Sequence, residues 1–317
     1  MILVVILLNF SVYLAMLDED VMKTSIIAIA NQKGGVGKTA TSVNLASSYA
    51  HLKRKTLLID CDYQGNATAN FGLKKQSKYK NLSTALRVDL PLNEVILKTS
   101  NEYLDVIAGD MGLSKLSREK ILEPGSYNLL KNWLDCESIK EYEIIIIDTH
   151  PSLDLLFQMS MTAAHYYLVP VFAEADPFDG LQYMLEEVSL IKKSLNPPLF
   201  LLGIVITKYN TKNATHRKFH EYLQKYMDEV KITLLKTVIP ESTAIASSSG
   251  AQRALISHHP KLPVTQAYLE LAHELLPELR GVRQGRRQGT PTISEMPEEI
   301  DKLFDFEVQE LEEEAVL

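Results

Sequence analysis

Short runs that are almost wholly apolar set the tightest limit on what this 317-residue chain can fold into. They stand at 25–30 (SIIAIA), 56–60 (TLLID), 104–108 (LDVIA), 143–148 (EIIIID), 166–172 (YYLVPVF) and 199–207 (LFLLGIVIT), with one more at 234–239 (LLKTVI). A strand with one solvated face alternates polar and apolar residues, whereas a strand without that alternation is covered on both faces. Between the runs, apolar positions recur at helical spacing over 38–51, 126–134, 155–164, 180–194 and 215–230, and 263–279 closes the pattern. The alternation predicts an α/β fold: a mostly parallel sheet flanked by helices on both faces. No internal repeat is present.

Both ends depart from this pattern. Residues 1–17 (MILVVILLNFSVYLAML) are apolar, and Asp18-Glu19-Asp20 follows. A signal peptide begins with positive charge, which this segment lacks, and the run sits at the short limit for a membrane span. The favoured reading of 1–22 is an apolar extension from an over-long translation start, because Met22 stands directly before the first strand. Residues 23–280 then form one domain. Residues 281–317 are read as a linker, rich in Gly, Arg and Gln, and a disordered acidic tail. The tail from 294 onward holds Glu295, Glu298, Glu299, Asp301, Asp305, Glu307, Glu310, Glu312, Glu313 and Glu314 against one base, Lys302. Its −9 against a total of −7 leaves +2 for the rest, so the acidic total does not exclude a nucleic-acid partner. Cys61 and Cys136 form no CxxC or Cys/His pattern, which speaks against a disulfide framework or zinc site and fits a cytoplasmic protein.

The chemistry gathers where the first apolar run meets the first helical stretch. Lys33-Gly34-Gly35-Val36-Gly37-Lys38-Thr39 is a Gly-rich turn between a buried strand and a helix. Such a turn sets backbone N–H groups and a helix N-terminus against phosphate. Gly34, Gly35 and Gly37 allow the close approach, Lys38 reaches the β- and γ-phosphates, and the Thr39 hydroxyl serves Mg²⁺. The ordinary Walker A pattern would need glycine at position 32, where Gln32 stands, and a second lysine, Lys33, precedes the glycines.

At this point the sequence resembles the ParA/MinD family of deviant Walker A ATPases, over about 25–279. The resemblance implies ATP and Mg²⁺ as cofactors, with 33–40, including Val36 and Ala40, around the phosphates. It makes Lys33 the signature lysine that reaches the partner's ATP in a nucleotide-sandwich homodimer. LIDCDYQGNAT (58–68) matches the switch segment, so Asp62 would position the attacking water and Asp60 would lie near the Mg²⁺ shell. Asp148 matches the Walker B aspartate, which also serves Mg²⁺. Lys33, Lys38 and Asp62 form the expected catalytic set, and Thr39, Asp60 and Asp148 the metal set. Segments 207–210 and 239–242 resemble those enclosing adenine, which brings Lys208, Pro240 and Ser242 to the base. FAEADPFDGL (172–181) resembles the segment that leads into the next helix.

Two positions depart from the family. Ala40 replaces a common second threonine, and His150 stands where the family has the first residue of a Pro-Pro pair. A neutral replacement is favoured for His150 over a pH sensor or partner contact, since no positioned neighbour is evident from sequence.

The end of the chain (DFEVQELEEEAVL) would be repelled by an anionic bilayer, which argues against a MinD-like membrane helix and against stable membrane binding. Similarity is nearer the ParA/Soj branch. The implied function is a DNA-partition ATPase, serving plasmid or chromosome segregation, that dimerises on ATP and binds DNA without sequence preference. A ParB-like partner would stimulate its hydrolysis. Lys208, Lys212, Arg217 and Lys218, then Arg253 and Lys261, and then Arg280, Arg283, Arg286 and Arg287 are the candidate basic groups. Glu241 and Ala244 stand where Soj-like members carry DNA-contacting arginines, so DNA contact is expected to be weaker or to shift to these clusters. The acidic tail is a candidate competitor for the same face. The alternatives are a MinD-like positioning ATPase and an adaptor that uses ATP only to dimerise. An iron–sulfur ATPase would need interface cysteines, a role that fits neither Cys61 nor Cys136.

Overall fold

The computed structural model describes residues 24–281 apart from 75, 79 and 174–177. The expected N-terminal extension (1–22), the linker and tail beyond 281, and residues 174–177 of the 172–181 segment lie outside the described residues.

Seven strands form one sheet: β1 (Ser25–Ile29), β2 (Thr56–Cys61), β3 (Leu97–Lys98), β4 (Leu104–Ile107), β5 (Ile144–Thr149), β6 (Tyr166–Phe172) and β7 (Phe200–Thr207). Their order is β3-β4-β2-β5-β1-β6-β7, and every pairing is parallel except the short β3 against β4. The principal helices are α1 (Lys38–His51), α2 (Leu82–Val88), α3 (Gly112–Lys120), α4 (Leu129–Leu134), α5 (Leu155–Ala163), α6 (Phe178–Ser194), α7 (Ala214–Glu229), α8 (Thr243–Gly250) and α9 (Pro263–Gly281).

The absence of polar alternation in the strands has the expected cause. Ile26 and Ala28 of β1, Leu57 and Ile59 of β2, and Ile145 and Ile147 of β5 face one apolar layer, which α2–α7 cover. Ile27 and Ile29, Leu58, and Ile144 and Ile146 face the other, filled by α1 and α9 with Val43, Leu45, Tyr268 and Leu271. Each strand thus loses its water on both sides, and period two shows only in which core a residue enters.

One expected strand is not formed. Residues 234–239 join β7 only at separate points: a bridge pairs Leu234 with Ile204, and the Leu235 and Ile239 N–H groups donate to the Ile204 and Ile206 carbonyls at 2.9 and 2.8 Å. The N–H groups of Lys236 and Thr237 donate instead to the Glu274 carboxylate of α9, at 2.8 and 3.0 Å. The apolar pattern was satisfied by burial, but a side chain distant in sequence took the bonds that a strand would have used. The 126–134 stretch is likewise divided: a 3₁₀ turn over Ser126–Asn128 precedes α4.

The topology decides where the site lies. From β1 the chain crosses to β2, returns to insert β5 between them, and then places β6 on the far side of β1. The carboxyl ends of β1, β2 and β5 therefore stand side by side, and the loops leaving them open one crevice.

Candidate functional site

The turn after β1 is held from beneath. Asn31 is buried; its Nδ2 donates to the Pro170 carbonyl (2.8 Å) and its Oδ1 accepts the Lys33 N–H (2.9 Å). The buried Val36 side chain anchors the middle of the turn, and its carbonyl accepts from Thr207 Oγ1 at 2.8 Å. Gly35 and Gly37 take φ of +77° and +88°, the left-handed region in which a side chain costs free energy. Gly37 is also the N-cap of α1 and supplies no side-chain cap, so the helix's first N–H groups remain for an outside acceptor.

Lys38 opens α1 with its ammonium folded under the turn, donating to the Lys33 carbonyl at 3.1 Å. Burial pulls its pKa below the ordinary value, against the charges of Asp148 and Asp62. A buried ammonium held under a ring of peptide N–H groups suits a polyanion. Lys33 itself is exposed on the rim.

The carboxylates sit opposite. Asp60 and Asp148 are direct register partners across β2 and β5, and both are fully buried. Asp148 Oδ1 accepts from Ser42 Oγ at 2.7 Å, the Thr39 side chain stands beside this carboxylate, and Oδ2 is buried without a partner. Asp60 Oδ2 accepts the backbone N–H and hydroxyl of Thr68 at 2.7 and 2.6 Å, tying the switch segment to β2. Burial first, and Asp60's charge second, push Asp148 up to about 7. Burial also lifts Asp60 to about 6. Two buried acids, one with an orphaned oxygen, beside a threonine hydroxyl are short of positive charge. A hard divalent cation supplies that charge, and Thr39, Asp148 and Asp60 offer the oxygen ligands it prefers.

Asp62 lies at the mouth of the same cleft, 7% exposed, with Oδ1 accepting the Gln64 N–H at 2.9 Å. Beyond the N-terminus of α1 opens a cavity of about 530 Å³, lined by Thr39, Ala40, Asn44, Asn66, Lys208 and Ser242 among others. Its volume is within the range of small-molecule sites.

The AAA domain family matches residues 24–201. The sporulation initiation inhibitor protein Soj of Bacillus subtilis is 35% identical over 251 residues, 79% of this chain and 97% of Soj. The chain belongs to the ParA/Soj family. The chromosome partitioning protein ParA of Myxococcus xanthus is 33% identical over 255 residues, covering 79% of this chain and 87% of that protein. Cobyrinic acid a,c-diamide synthase from Mycobacterium smegmatis, solved with ADP and magnesium, superposes with a TM-score of 0.70 at 26% identity. That match covers 85% of this chain and 100% of the synthase chain.

In this ParA/Soj chain the structure brings Gly34–Ala40, Lys33, Asp60, Asp62 and Asp148 together at the carboxyl ends of β1, β2 and β5. Lys208 and Ser242 reach the cavity, with Lys208 at φ +51° and its ammonium 5.0 Å from the Phe172 ring centre. Pro240 does not line it. Pro240 borders a second cavity with Tyr209, Lys212 and Glu270: the Tyr209 N–H donates to the Ile239 carbonyl and the Glu241 N–H to the Tyr209 carbonyl, each at 3.0 Å, and Ser242 beyond them lines the first cavity. Lys212, Arg217, Lys218, Arg253 and Lys261 are exposed, and Arg217 Nη1 donates to the Thr211 carbonyl. Arg283, Arg286 and Arg287 lie outside the described residues.

Several participants escaped the reading of the sequence. Ser42, one helical turn beyond Lys38, had the signal of i,i+4 spacing. Thr68 and Asn66 stood inside the quoted switch segment. Thr207 stood in the 207–210 segment read as enclosing the base, but its hydroxyl bonds the turn, and Asn44 carried no local signal, since only the fold brings it to the cavity.

Among the described residues no helix is long and apolar enough to cross a membrane. Cys61 is enclosed beneath α5, with Sγ 3.9 Å from the Leu156 carbonyl, and Cys136 lies on another element.

Proposed function

We propose that this chain is an Mg²⁺-dependent ATPase of DNA partition, which dimerises on ATP, binds DNA without sequence preference and hydrolyses ATP when a ParB-like partner triggers it. The observation that carries the reading is the meeting of a phosphate-type turn with Asp148 and its orphaned buried oxygen, with Asp60 in register beside it. Bound Mg²⁺ would neutralise the developing phosphoryl charge and offset the repulsion between these acids.

The remaining work falls to the chain's own groups. The N–H groups of 34–39 and the Lys38 ammonium hold the phosphates, and Thr39 and Asp148 hold the cation, with Asp60 behind them. Asp62 orients the water. Lys33, exposed on the rim, supplies positive charge to a second subunit's site, as an arginine finger does. The cavity bounded by Asn44, Lys208 and Ser242 takes the base. Lys212, Arg217 and Lys218, on the loop and first turns of α7, give an exposed basic edge for phosphate contacts.

The test is binding to random-sequence duplex DNA at low salt, with ATP and with ADP, alongside Lys33→Ala. Binding that needs ATP, weakens with salt and disappears in Lys33→Ala is the expected result. Binding in neither nucleotide state would replace DNA partition with a positioning or adaptor role for the same dimer switch.

A further inference from the structure

We infer that His150 is a positioning residue for Asp62, resting on the reading that Asp62 orients the attacking water. The contact joins the end of β5 to the switch segment after β2, and nothing local in the sequence announces it.

Four groups surround the imidazole. The Ser152 backbone N–H donates to Nδ1 at 3.2 Å, so Nδ1 bears the lone pair and the proton of the neutral ring sits on Nε2. Nε2 then faces Asp62 Oδ1 at 3.9 Å. The Tyr63 ring lies against the imidazole with centroids 4.3 Å apart, which holds its plane. Asp154 Oδ2 is 3.6 Å from Nδ1, while Asp154 Oδ1 caps α5 by accepting the N–H groups of Leu156 and Phe157. Pro151 restricts the His150 backbone to extended conformations, and Thr149 Oγ1 ties the preceding residue to the Ile29 carbonyl at 2.7 Å.

His150 and Asp62 are both buried, at 5% and 7% exposure, so a hydrogen bond between them is little weakened by water. The present separation is too long for one. Hydrogen bonds of this kind tighten when the site closes on its ligand, and about 1 Å of movement in the switch segment makes the contact. Gln64 N–H and His150 then both engage Oδ1, which fixes the carboxylate's rotation and turns Oδ2 toward the phosphate turn.

The first arm of the test reads the ring directly. In the ¹⁵N imidazole spectrum of the full chain, the His150 signal, identified by its loss in His150→Gln, should report the Nε2–H tautomer. An Nδ1–H tautomer would overturn the inference. The second arm reads turnover. His150→Phe keeps a planar ring and should lower kcat about 10-fold while the affinity for ATP stays within about 2-fold. His150→Gln, whose amide N–H reaches the place of Nε2–H, should recover most of that loss. Equal turnover in the Phe and Gln variants, or a loss of ATP affinity that matches the loss of kcat, would mean that His150 only packs. If the wild type itself shows no Asp62-dependent hydrolysis, the catalytic reading of the site fails, and His150 has no water to help position. The tautomer still decides the contact in that case.

Discussion

Asp148→Asn should make the cation-free protein gain stability, relative to wild type, as the pH rises. Asp148 is fully buried, is pushed up to about 7 by burial and by Asp60, and has one oxygen without a partner. A carboxyl whose folded pKa is raised stabilises the fold through its protonated form. That contribution is complete below about pH 4, where the unfolded carboxyl is also protonated, and is lost as the pH climbs through 7. Between pH 5 and pH 8 the wild type therefore loses about 3 kcal/mol from this group, most of it below pH 7. Asparagine carries no such dependence. The amide has its own cost, since its NH₂ takes the place of an oxygen with no partner, about 1–3 kcal/mol at any pH. The diagnostic quantity is thus the change in the mutant's effect between pH 5 and pH 8. A swing of about 3 kcal/mol corresponds to roughly 6–12 °C in Tm for a domain of this size. Thermal unfolding with EDTA and without nucleotide, at the two pH values, measures it. The same mutant should lose the stabilisation that Mg²⁺ with ATP gives the wild type. A shift in Tm equal at both pH values would refute the account of two buried acids awaiting a cation.

Lys38→Ala should raise the Kd for ATP at least about 100-fold by titration with a fluorescent analogue, because it removes the ammonium held under the turn. A Kd within a few-fold of wild type would remove Lys38 from the phosphate site. Gly109→Ala should damage the switch although residue 109 touches no expected ligand: an added Cβ would lie 2.5 Å from the Asp62 carbonyl and 2.6 Å from that of Asp60. The clash is with backbone, so Asp60 and Asp62 must move, and a loss of about 1–3 kcal/mol in stability together with weakened Mg²⁺ dependence is expected, read by unfolding with and without the cation.

The sheet was legible because its strands carry the whole pattern locally. Ile26–Ile29 and Ile144–Ile147 are apolar at every position, and only a strand covered on both faces asks for that. Where a long-range partner intervened, the same reasoning failed. The Glu274 carboxylate drew two N–H groups out of the expected strand at 234–239, and no window of sequence around that strand contains Glu274. The phosphate turn was legible for the same reason as the strands, since glycines, lysine and threonine act within seven consecutive residues.

What the sequence determined by itself is therefore everything whose cause is local: the burial of the strands, the φ angles that Gly35 and Gly37 adopt, the lysine under the turn, and the family that these residues announce. The tertiary structure alone decided which distant groups share the crevice. It set Asp60 against Asp148 in register, brought Ser42 and Thr39 to the same carboxylate, moved Pro240 out of the cavity and laid His150 beside Asp62. The physical reason is that a carboxylate's pKa, a ring's tautomer and a cavity's lining depend on what lies within a few ångströms in space. In a parallel sheet, strands adjacent in space are separated along the chain by helices and loops, so the neighbours that set these properties lie far away in sequence.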